Sequence, residues 1–188
     1  VERYLMISTE GVMSARVDGS SFVISPTGMD RGSLEMSDLV LIKDGKREKD
    51  KLPSRSVRLH RAIYEAHPNI NCVITAQCPN ILAYAVTCTR LDTRTIPESY
   101  VLLRDVQMVS YGTQFERPQQ IAKLLSANSP VILIQNDAVL TTGTTILQAF
   151  DRLEVAEATA KALLDIANIG RRVPIAREEL EELERAFF

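Results

Sequence analysis

Short apolar runs recur along the chain and are bounded by residues that favour turns. The runs are rich in valine, isoleucine or leucine, and most are flanked by glycine, proline, asparagine or aspartate, which is typical of strands in a sheet. From this pattern we predict six strands, at residues 22–25, 39–42, 72–75, 107–110, 131–134 and 139–141.

Between these runs, apolar residues recur three and four positions apart, as on one face of a helix. Residues 56–67 show this spacing before Pro68, which ends the predicted helix, and residues 117–126 repeat it more briefly. A last helix is predicted over about residues 177–187, where glutamates in the first turn favour the positive end of the helix dipole. The interleaved strands and helices indicate an α/β protein.

The longest predicted helix begins at Thr145 and carries a continuous apolar stripe. The Thr145 hydroxyl and the Gln148 side chain form the T-x-x-Q pattern of a capping box, which predicts two reciprocal hydrogen bonds at the helix start. Gly170 suits the left-handed residue that often follows the end of a helix. We therefore expect this helix to pack along the sheet and to end at Gly170.

Length and composition suit one globular domain. The chain has 188 residues, of which 45% are hydrophobic, enough for a substantial core. We expect residues 1–188 to form a single domain. The chain begins at Val1 rather than at methionine, within sequence that already has a structured pattern, so we also expect these residues to be a piece of a longer protein.

Charge and cysteine content exclude several classes of partner. The net charge is -2 and the pI is about 5.8, so we expect no broad basic surface and neither nucleic acid nor membrane as a partner. The three cysteines lack paired C-x-x-C spacing, which favours reduced, mostly buried thiols. No apolar run approaches the roughly 20 residues of a membrane-spanning helix. These features favour a cytoplasmic location.

The order of the segments, and the residues at their junctions, resemble the class II aldolase/adducin family. The family motifs are G-N-x-S-x-R, a P-T-G turn, P-S-S-E-x-x-x-H, H-x-H at a strand end, and N-H-G before the last long helix. Their counterparts lie at residues 11–16, 25–28, 53–60, 75–77 and 135–138. The resemblance implies a three-layer α/β/α fold with a central mixed, largely antiparallel sheet. It also implies a homo-oligomer, or a companion aldolase-like domain in a longer chain, because the family builds active sites at subunit interfaces.

The resemblance also shows what this sequence lacks at the metal site. Active members hold zinc with the two histidines of H-x-H and a third from the N-H-G turn, and here Thr75, Gln77 and Asp137 occupy those positions. A hydroxyl, an amide and a carboxylate form a weak oxygen set better suited to magnesium or calcium. Cys78 stands beside Gln77, but one thiolate and one carboxylate do not complete a tetrahedral site. We therefore expect no zinc cofactor.

The catalytic base is absent as well. The glutamate of P-S-S-E, which moves the proton next to the substrate carbonyl, is replaced by Ser56. A serine without an activating histidine is a poor base, so we assign no catalytic residue. His60 follows on the same predicted helix, where it packs or forms hydrogen bonds more often than it performs chemistry, and we interpret Tyr64 as a core residue.

Part of the family's anion pocket survives. By resemblance, a phosphate or sugar phosphate would bind at Ser14, Thr27, Gly28, Ser54 and Arg55, although Val12 replaces the family asparagine. Arginine clamps phosphate well, and this set contains no competing carboxylate. The alternative is that residues 27–28 are a plain turn and Arg55 is a solvated charge.

Two functions remain open at this point. The first, which we favour, is a non-catalytic domain that serves assembly or weak binding of an anion or sugar phosphate. The second is a sugar-phosphate aldolase or lyase whose site is remade from other residues or completed by a partner subunit, because a fold does not dictate chemistry.

Overall fold

The computed structural model describes residues 4–188, and its strands form one eight-stranded sheet in the order β4-β3-β2-β1-β5-β8-β7-β6. Only the β6–β7 pair is parallel, and the other neighbours in this sheet are antiparallel. The expected mixed, largely antiparallel sheet is therefore confirmed. The strands are β1 (Val12–Arg16), β2 (Ser21–Ile24), β3 (Val40–Lys43), β4 (Lys46–Arg47), β5 (Cys72–Ala76), β6 (Gln107–Val109), β7 (Val131–Ile134) and β8 (Ala138–Gly143).

Helices cover both faces of this sheet. They are α1 (Val57–Ala66), α2 (Pro79–Thr87), α3 (Pro97–Leu103), α4 (Thr113–Glu116), α5 (Pro118–Leu124), α6 (Ile146–Ile169) and α7 (Arg177–Phe187), with a 3₁₀ turn at Met36–Asp38. No helix within residues 4–188 combines the length and apolar character needed to cross a bilayer.

Strand β5 lies in the middle of the sheet and contributes side chains to both faces. Cys72, Ile74 and Ala76 enter the apolar cluster beneath α2, α3 and α6. Val73 enters the second cluster, beneath α1 and α5, and Thr75 contacts α1 on the same face. Because successive side chains of a strand point to opposite faces, this division produces the three layers that the family resemblance implies.

The apolar pattern located most of the large elements correctly. All six predicted strands are present with ends shifted by at most two residues, and the predicted helices correspond to α1, α5, α6 and α7. The pattern missed β1 and β4, because Ser14 and Arg16 interrupt the apolar residues of β1 and β4 has only two residues. It also missed α2 and α3, whose first residues are prolines, which are favoured at the first position of a helix.

Both ends of α6 differ from the prediction in detail. The Thr145 hydroxyl accepts a hydrogen bond from the Gln148 amide at 3.1 Å, as expected. The side-chain oxygen Oε1 of Gln148, however, accepts a hydrogen bond from the backbone N–H of Thr144 at 2.8 Å rather than from that of Thr145. Gly170 has a φ of 169°, so the predicted left-handed conformation is wrong. The chain continues in an extended segment whose Ile175 N–H donates to the Arg94 carbonyl at 3.1 Å, and extended backbone at Gly170 leads into it.

The cysteines lie largely as the sequence predicted. Cys72 and Cys78 are buried, Cys88 is exposed, and all three are free thiols. The Cys78 thiol donates to the Leu5 carbonyl at 3.2 Å, and burial raises its pKa to about 12. This thiol therefore stays protonated and belongs to the apolar cluster beneath α6.

Candidate functional site

Four polar side chains meet in the layer between α1 and the sheet. The Ser14 hydroxyl of β1 lies 2.7 Å from Nδ1 of His60 and 2.6 Å from the hydroxyl of Tyr64, both on α1. On its other side, His60 Nε2 lies 3.0 Å from the Thr75 hydroxyl of β5. All four residues are buried, so the network satisfies polar atoms that would otherwise be unpaired inside the protein.

The network is electrically neutral. Burial lowers the pKa of His60 from 6.5 to about 3, and it raises the pKa of Tyr64 above its usual range. A neutral imidazole donates from one ring nitrogen and accepts at the other, so His60 links the two hydroxyls as one donor and one acceptor. The expectation that His60 forms hydrogen bonds rather than performing chemistry agrees with this geometry.

Asp137 lies in the turn between β7 and β8, next to Asn136, which has a left-handed φ of 55°. One Asp137 carboxylate oxygen accepts a hydrogen bond from the amide nitrogen of Gln114 at 2.9 Å. Burial raises the pKa of Asp137, and the Gln114 hydrogen bond and the positive charge of Arg55 partly offset this rise. The carboxylate is thus already engaged by its neighbours.

Two amide oxygens near this turn have no hydrogen-bond donor. Gln77 follows β5 directly, and the preceding Ala76 pairs with Val139, close to Asp137. The side-chain oxygens of Gln77 and Gln114 are both buried and unpartnered within residues 4–188. Buried acceptors without donors are uncommon and call for a physical explanation.

A sequence profile described as "Class II Aldolase and Adducin N-terminal domain" matches residues 1–164. The chain belongs to the class II aldolase/adducin family. The matched range contains all the strands described above and most of α6, so membership rests on the whole sheet rather than on one motif.

Named relatives in the family act on phosphorylated compounds. An L-fuculose phosphate aldolase of Methanococcus vannielii is 28% identical over 165 residues, covering 85% of this chain and 87% of that protein. A 3-oxo-tetronate 4-phosphate decarboxylase of Haemophilus influenzae is 27% identical over 196 residues, covering 97% of this chain and 90% of that protein. The solved structure of an L-fuculose 1-phosphate aldolase, 23% identical, covers 100% of this chain and 90% of its own with a TM-score of 0.85, which shows the shared fold.

The residues that the resemblance assigns to the family's metal positions do not fit zinc. Zinc sites in proteins are built mainly from thiolates and imidazoles, whereas Thr75, Gln77 and Asp137 offer a hydroxyl, an amide and one carboxylate. The Thr75 hydroxyl and the Asp137 carboxylate already have side-chain partners. In the described part of the chain, no three His, Cys, Asp or Glu side chains are grouped to hold a metal ion.

Ser56, which the resemblance assigns to the family's base position, is the residue that precedes α1. Its side chain makes no capping hydrogen bond, and its backbone N–H donates to the Ser54 hydroxyl at 3.3 Å. Both ring nitrogens of His60 are used by Ser14 and Thr75. Ser56 therefore has no imidazole from His60 to remove its proton.

The surviving anion residues fall into separate environments. An antiparallel bridge between Pro26 and Pro53 pairs their two segments, which puts Ser54 opposite Ser25 and Thr27 opposite Leu52 rather than opposite Ser54. The Thr27 N–H is already used, since it donates to the Leu52 carbonyl at 3.1 Å. Only part of the predicted donor set is thus free to meet a ligand.

Two further residues of the predicted anion site, Ser14 and Arg55, interact with other groups. The Ser14 hydroxyl belongs to the buried network with His60. The Arg55 guanidinium lies 5.8 Å from the centre of the Phe115 ring, and its charge acts on Asp137. The set predicted from the sequence contains no carboxylate, but the fold brings Asp137 near enough for the charge of Arg55 to offset part of the rise in its pKa.

Sequence reasoning missed the contributions of α4 and of Tyr64. Gln114 and Phe115 lie on α4, a helix of only four residues without a periodic pattern. Tyr64 was interpreted as a core residue and is buried, but its hydroxyl is also hydrogen-bonded to the Ser14 hydroxyl. The sequence carries no local signal that pairs Gln114 with Asp137, which lies 23 residues further along the chain.

Proposed function

We propose that this domain is a non-catalytic member of the class II aldolase/adducin family that serves assembly and binds anions or sugar phosphates only weakly. The observation that carries the proposal is the state of the metal positions. His60 engages the Thr75 hydroxyl and Gln114 engages the Asp137 carboxylate, so a metal would have to break both contacts and would gain no imidazole.

The base position supports the same conclusion. Retro-aldol cleavage needs both an electrophile on the carbonyl and a group that moves the neighbouring proton. Ser56 has no activating partner on α1, and the metal positions supply no Lewis acid of the family type. Because this chain lacks both the metal electrophile and the base of the family mechanism, family membership alone does not imply aldolase activity.

An exposed apolar cleft supports the role in assembly. A cavity of about 590 Å³ is lined largely by Leu5, Met6, Met13, Leu34, Met36, Leu39 and Phe150. Met36 is 89% exposed and Met13 is 41% exposed. Apolar side chains gathered at an open cleft favour contact with another protein surface. We propose a second copy of this chain, or a companion aldolase-like domain, as the occupant.

The test combines an activity assay with a measurement of mass in solution. Purified protein, with and without added zinc, is incubated with L-fuculose 1-phosphate, and the aldehyde product is measured. We expect no cleavage above background. Light scattering is expected to give more than one copy per particle, and Met36→Glu is expected to lower the mass. Cleavage that Asp137→Ala abolishes would overturn the non-catalytic assignment, and a monomer at all concentrations would overturn self-assembly.

A second candidate is a sugar-phosphate aldolase or lyase with a remade or partner-completed site. The buried, unpartnered oxygens of Gln77 and Gln114 favour it, because sugar hydroxyls could donate to them beside Asp137. This candidate predicts turnover only in the oligomer, and turnover that falls in Gln77→Leu and Gln114→Leu. An oligomer without turnover on phosphorylated sugars contradicts it.

A further inference from the structure

A cavity of about 720 Å³ lies away from the site described above, bounded by α3, α7 and the loop before α3. Helix α3 packs on the sheet face that α6 covers, whereas Thr75 and Ser14 point toward α1. The cavity contains none of the residues assigned to the family site. Its volume falls within the range of small-molecule sites in proteins, about 300–1,000 Å³.

Arginines dominate the charge around this cavity. Its lining carries four arginines and three acidic residues, namely Arg90, Arg94, Arg104, Arg172, Asp92, Asp105 and Glu184. This leaves a surplus of one positive charge in a chain whose overall net charge is -2. A locally positive cavity on an acidic protein concentrates anions.

Most of these charges neutralise one another. Asp92 binds both Arg94 and Arg172, each at 2.7 Å, so one carboxylate is shared by two guanidinium groups. Arg90 pairs with Asp105 at 2.8 Å on the outer rim. The third acid, Glu184, accepts the hydroxyl of Tyr100 at 2.6 Å. Arg104 is left as the cation without a carboxylate at ion-pair distance within residues 4–188, and the Glu184 charge acts on it only from farther away.

Arg104 is held in a conformation that side chains rarely adopt. Its backbone has a φ of 56° and a ψ of -128°, a region that favours glycine. The buried Thr93 hydroxyl donates to the Arg104 carbonyl at 2.9 Å and fixes this geometry. Strained backbone held by neighbouring contacts is found more often at functional sites than elsewhere.

The Arg104 side chain also has unused hydrogen-bonding capacity. Its Nε is buried and has no partner in the described part of the chain. The Phe188 ring lies over the guanidinium, and this contact uses the flat face of the group. The N–H groups of a guanidinium point outward in its plane, so stacking on its face leaves them free to donate, and Arg104 is one of the residues that line the cavity.

We propose that this cavity is an anion site for a small phosphate monoester, with the Arg104 guanidinium as its main donor. A guanidinium matches the oxygens of a phosphate through two parallel hydrogen bonds. The shared Asp92 leaves Arg94 and Arg172 with a net positive charge beside it. The cavity is much larger than inorganic phosphate, so the organic part of an ester has room to make further contacts. This site is independent of the proposed function of the family site.

The test follows backbone amide shifts during titration with inorganic phosphate and with glycerol 3-phosphate, using sodium chloride at matched ionic strength as the blank. Amides of residues 92–94, 104–105 and 172 report on this cavity, and those of Thr27 and Gly28 report on the family site. We expect saturable shifts at the cavity with a dissociation constant of about 1 mM or below for the ester, and weaker binding of inorganic phosphate.

Three variants separate the role of Arg104 from general charge. Arg104→Gly removes the donor while suiting the positive φ, and is expected to weaken ester binding about tenfold or more without lowering stability. Arg104→Lys keeps the positive charge but lacks the planar guanidinium, and is expected to weaken ester binding by a smaller factor. Arg90→Ala removes an exposed arginine at the rim that is paired with Asp105, and is expected to change the affinity for the ester by less than about threefold.

Each result decides the proposal. Saturable cavity shifts that are lost in Arg104→Gly and retained in Arg90→Ala support it. Absence of saturable shifts at the cavity in the unaltered protein, or equal affinity in Arg104→Gly, overturns it. Equal affinities for inorganic phosphate and the ester would overturn the assignment of the ester as ligand. Shifts confined to Thr27 and Gly28 would place phosphate at the family site and also overturn the proposal.

Discussion

His60 Nε2 lies 3.0 Å from the hydroxyl oxygen of Thr75, which the resemblance assigns to the first of the family's three metal positions. The imidazole comes from α1, not from the strand end, and its other nitrogen is bound to Ser14. A histidine is therefore next to the position where family members place a metal ligand, but it is buried and bonded on both sides. It stabilises the contact between α1 and the sheet.

The burial of His60 predicts a pH dependence of stability. Burial lowers its pKa from the ordinary 6.5 to about 3 in the folded protein, so below pH 6.5 the unfolded chain gains a proton that the folded protein does not. The free energy of unfolding therefore falls as the pH drops from about 6.5 toward 3, by about 2 kcal/mol at pH 5 from this group. Urea unfolding at pH 7 and pH 5 measures the difference.

Two variants isolate the histidine in that experiment. His60→Gln removes the titrating group and is expected to flatten the slope between pH 7 and pH 5. Thr75→Val removes the Nε2 partner but keeps the imidazole, so the slope should persist in a less stable protein. An unchanged slope in His60→Gln would show that another group controls acid stability.

The cap of α6 predicts a local effect on stability. Thr145→Ala removes the hydroxyl that accepts the Gln148 N–H and is expected to lower the free energy of unfolding by about 1 kcal/mol. Thr144→Ala is the matched control, because it keeps the backbone N–H that donates to Gln148 Oε1 at 2.8 Å and removes only the exposed hydroxyl contact with that oxygen at 3.3 Å. Equal losses in both variants, measured by urea unfolding, would contradict the capping role of the Thr145 hydroxyl.

Phosphate binding at the family site is expected to be weak and to depend on two opposite charges. Arg55→Ala should weaken binding about tenfold, from a dissociation constant of about millimolar, while leaving folding nearly unchanged. Asp137→Asn should tighten it, because the carboxylate that interacts with Arg55 repels an anion. Amide shifts at Thr27 and Gly28 measure both, and shifts that persist unchanged without Arg55 would reject its role.

Restoring the family's ligands tests whether the backbone keeps the family geometry. The combined change Thr75→His, Gln77→His and Asp137→His is expected to create a zinc site, although the first substitution must displace His60 from its contact. Zinc content by elemental analysis measures the outcome. The triple variant should remain inactive on L-fuculose 1-phosphate until Ser56→Glu is added, and activity without that change would show that the glutamate is not needed.

The large elements were predictable because their signal is periodic and local. The apolar spacing in residues 56–67 and the runs around Val73 and Ile132 follow from the need to bury one or both faces. Helices α2 and α3 could not be predicted because they begin at Pro79 and Pro97. A proline indicates a boundary but does not distinguish the start of a helix from the end of a strand.

The sequence contains no local signal for the contacts of the site. The residue types at positions 56, 75, 77 and 137 are read directly from the sequence, and only the resemblance assigns them to the family's base and metal positions. The contacts that replace them join residues far apart in sequence, such as His60 with Thr75 and Gln114 with Asp137. Hydrogen bonds of this kind depend on how α1 and α4 pack on the sheet, which no local pattern specifies.

The most direct test of the central claim is the melting temperature of the purified protein with and without zinc. A ligand that binds only the folded state stabilises it by RT ln(1 + [L]/Kd), about 2.7 kcal/mol at a hundredfold excess over Kd. We expect zinc at concentrations well above micromolar to leave the melting temperature unchanged. A saturable rise that disappears in Asp137→Ala would contradict the account, because it would show that Thr75, Gln77 and Asp137 surround a working metal site.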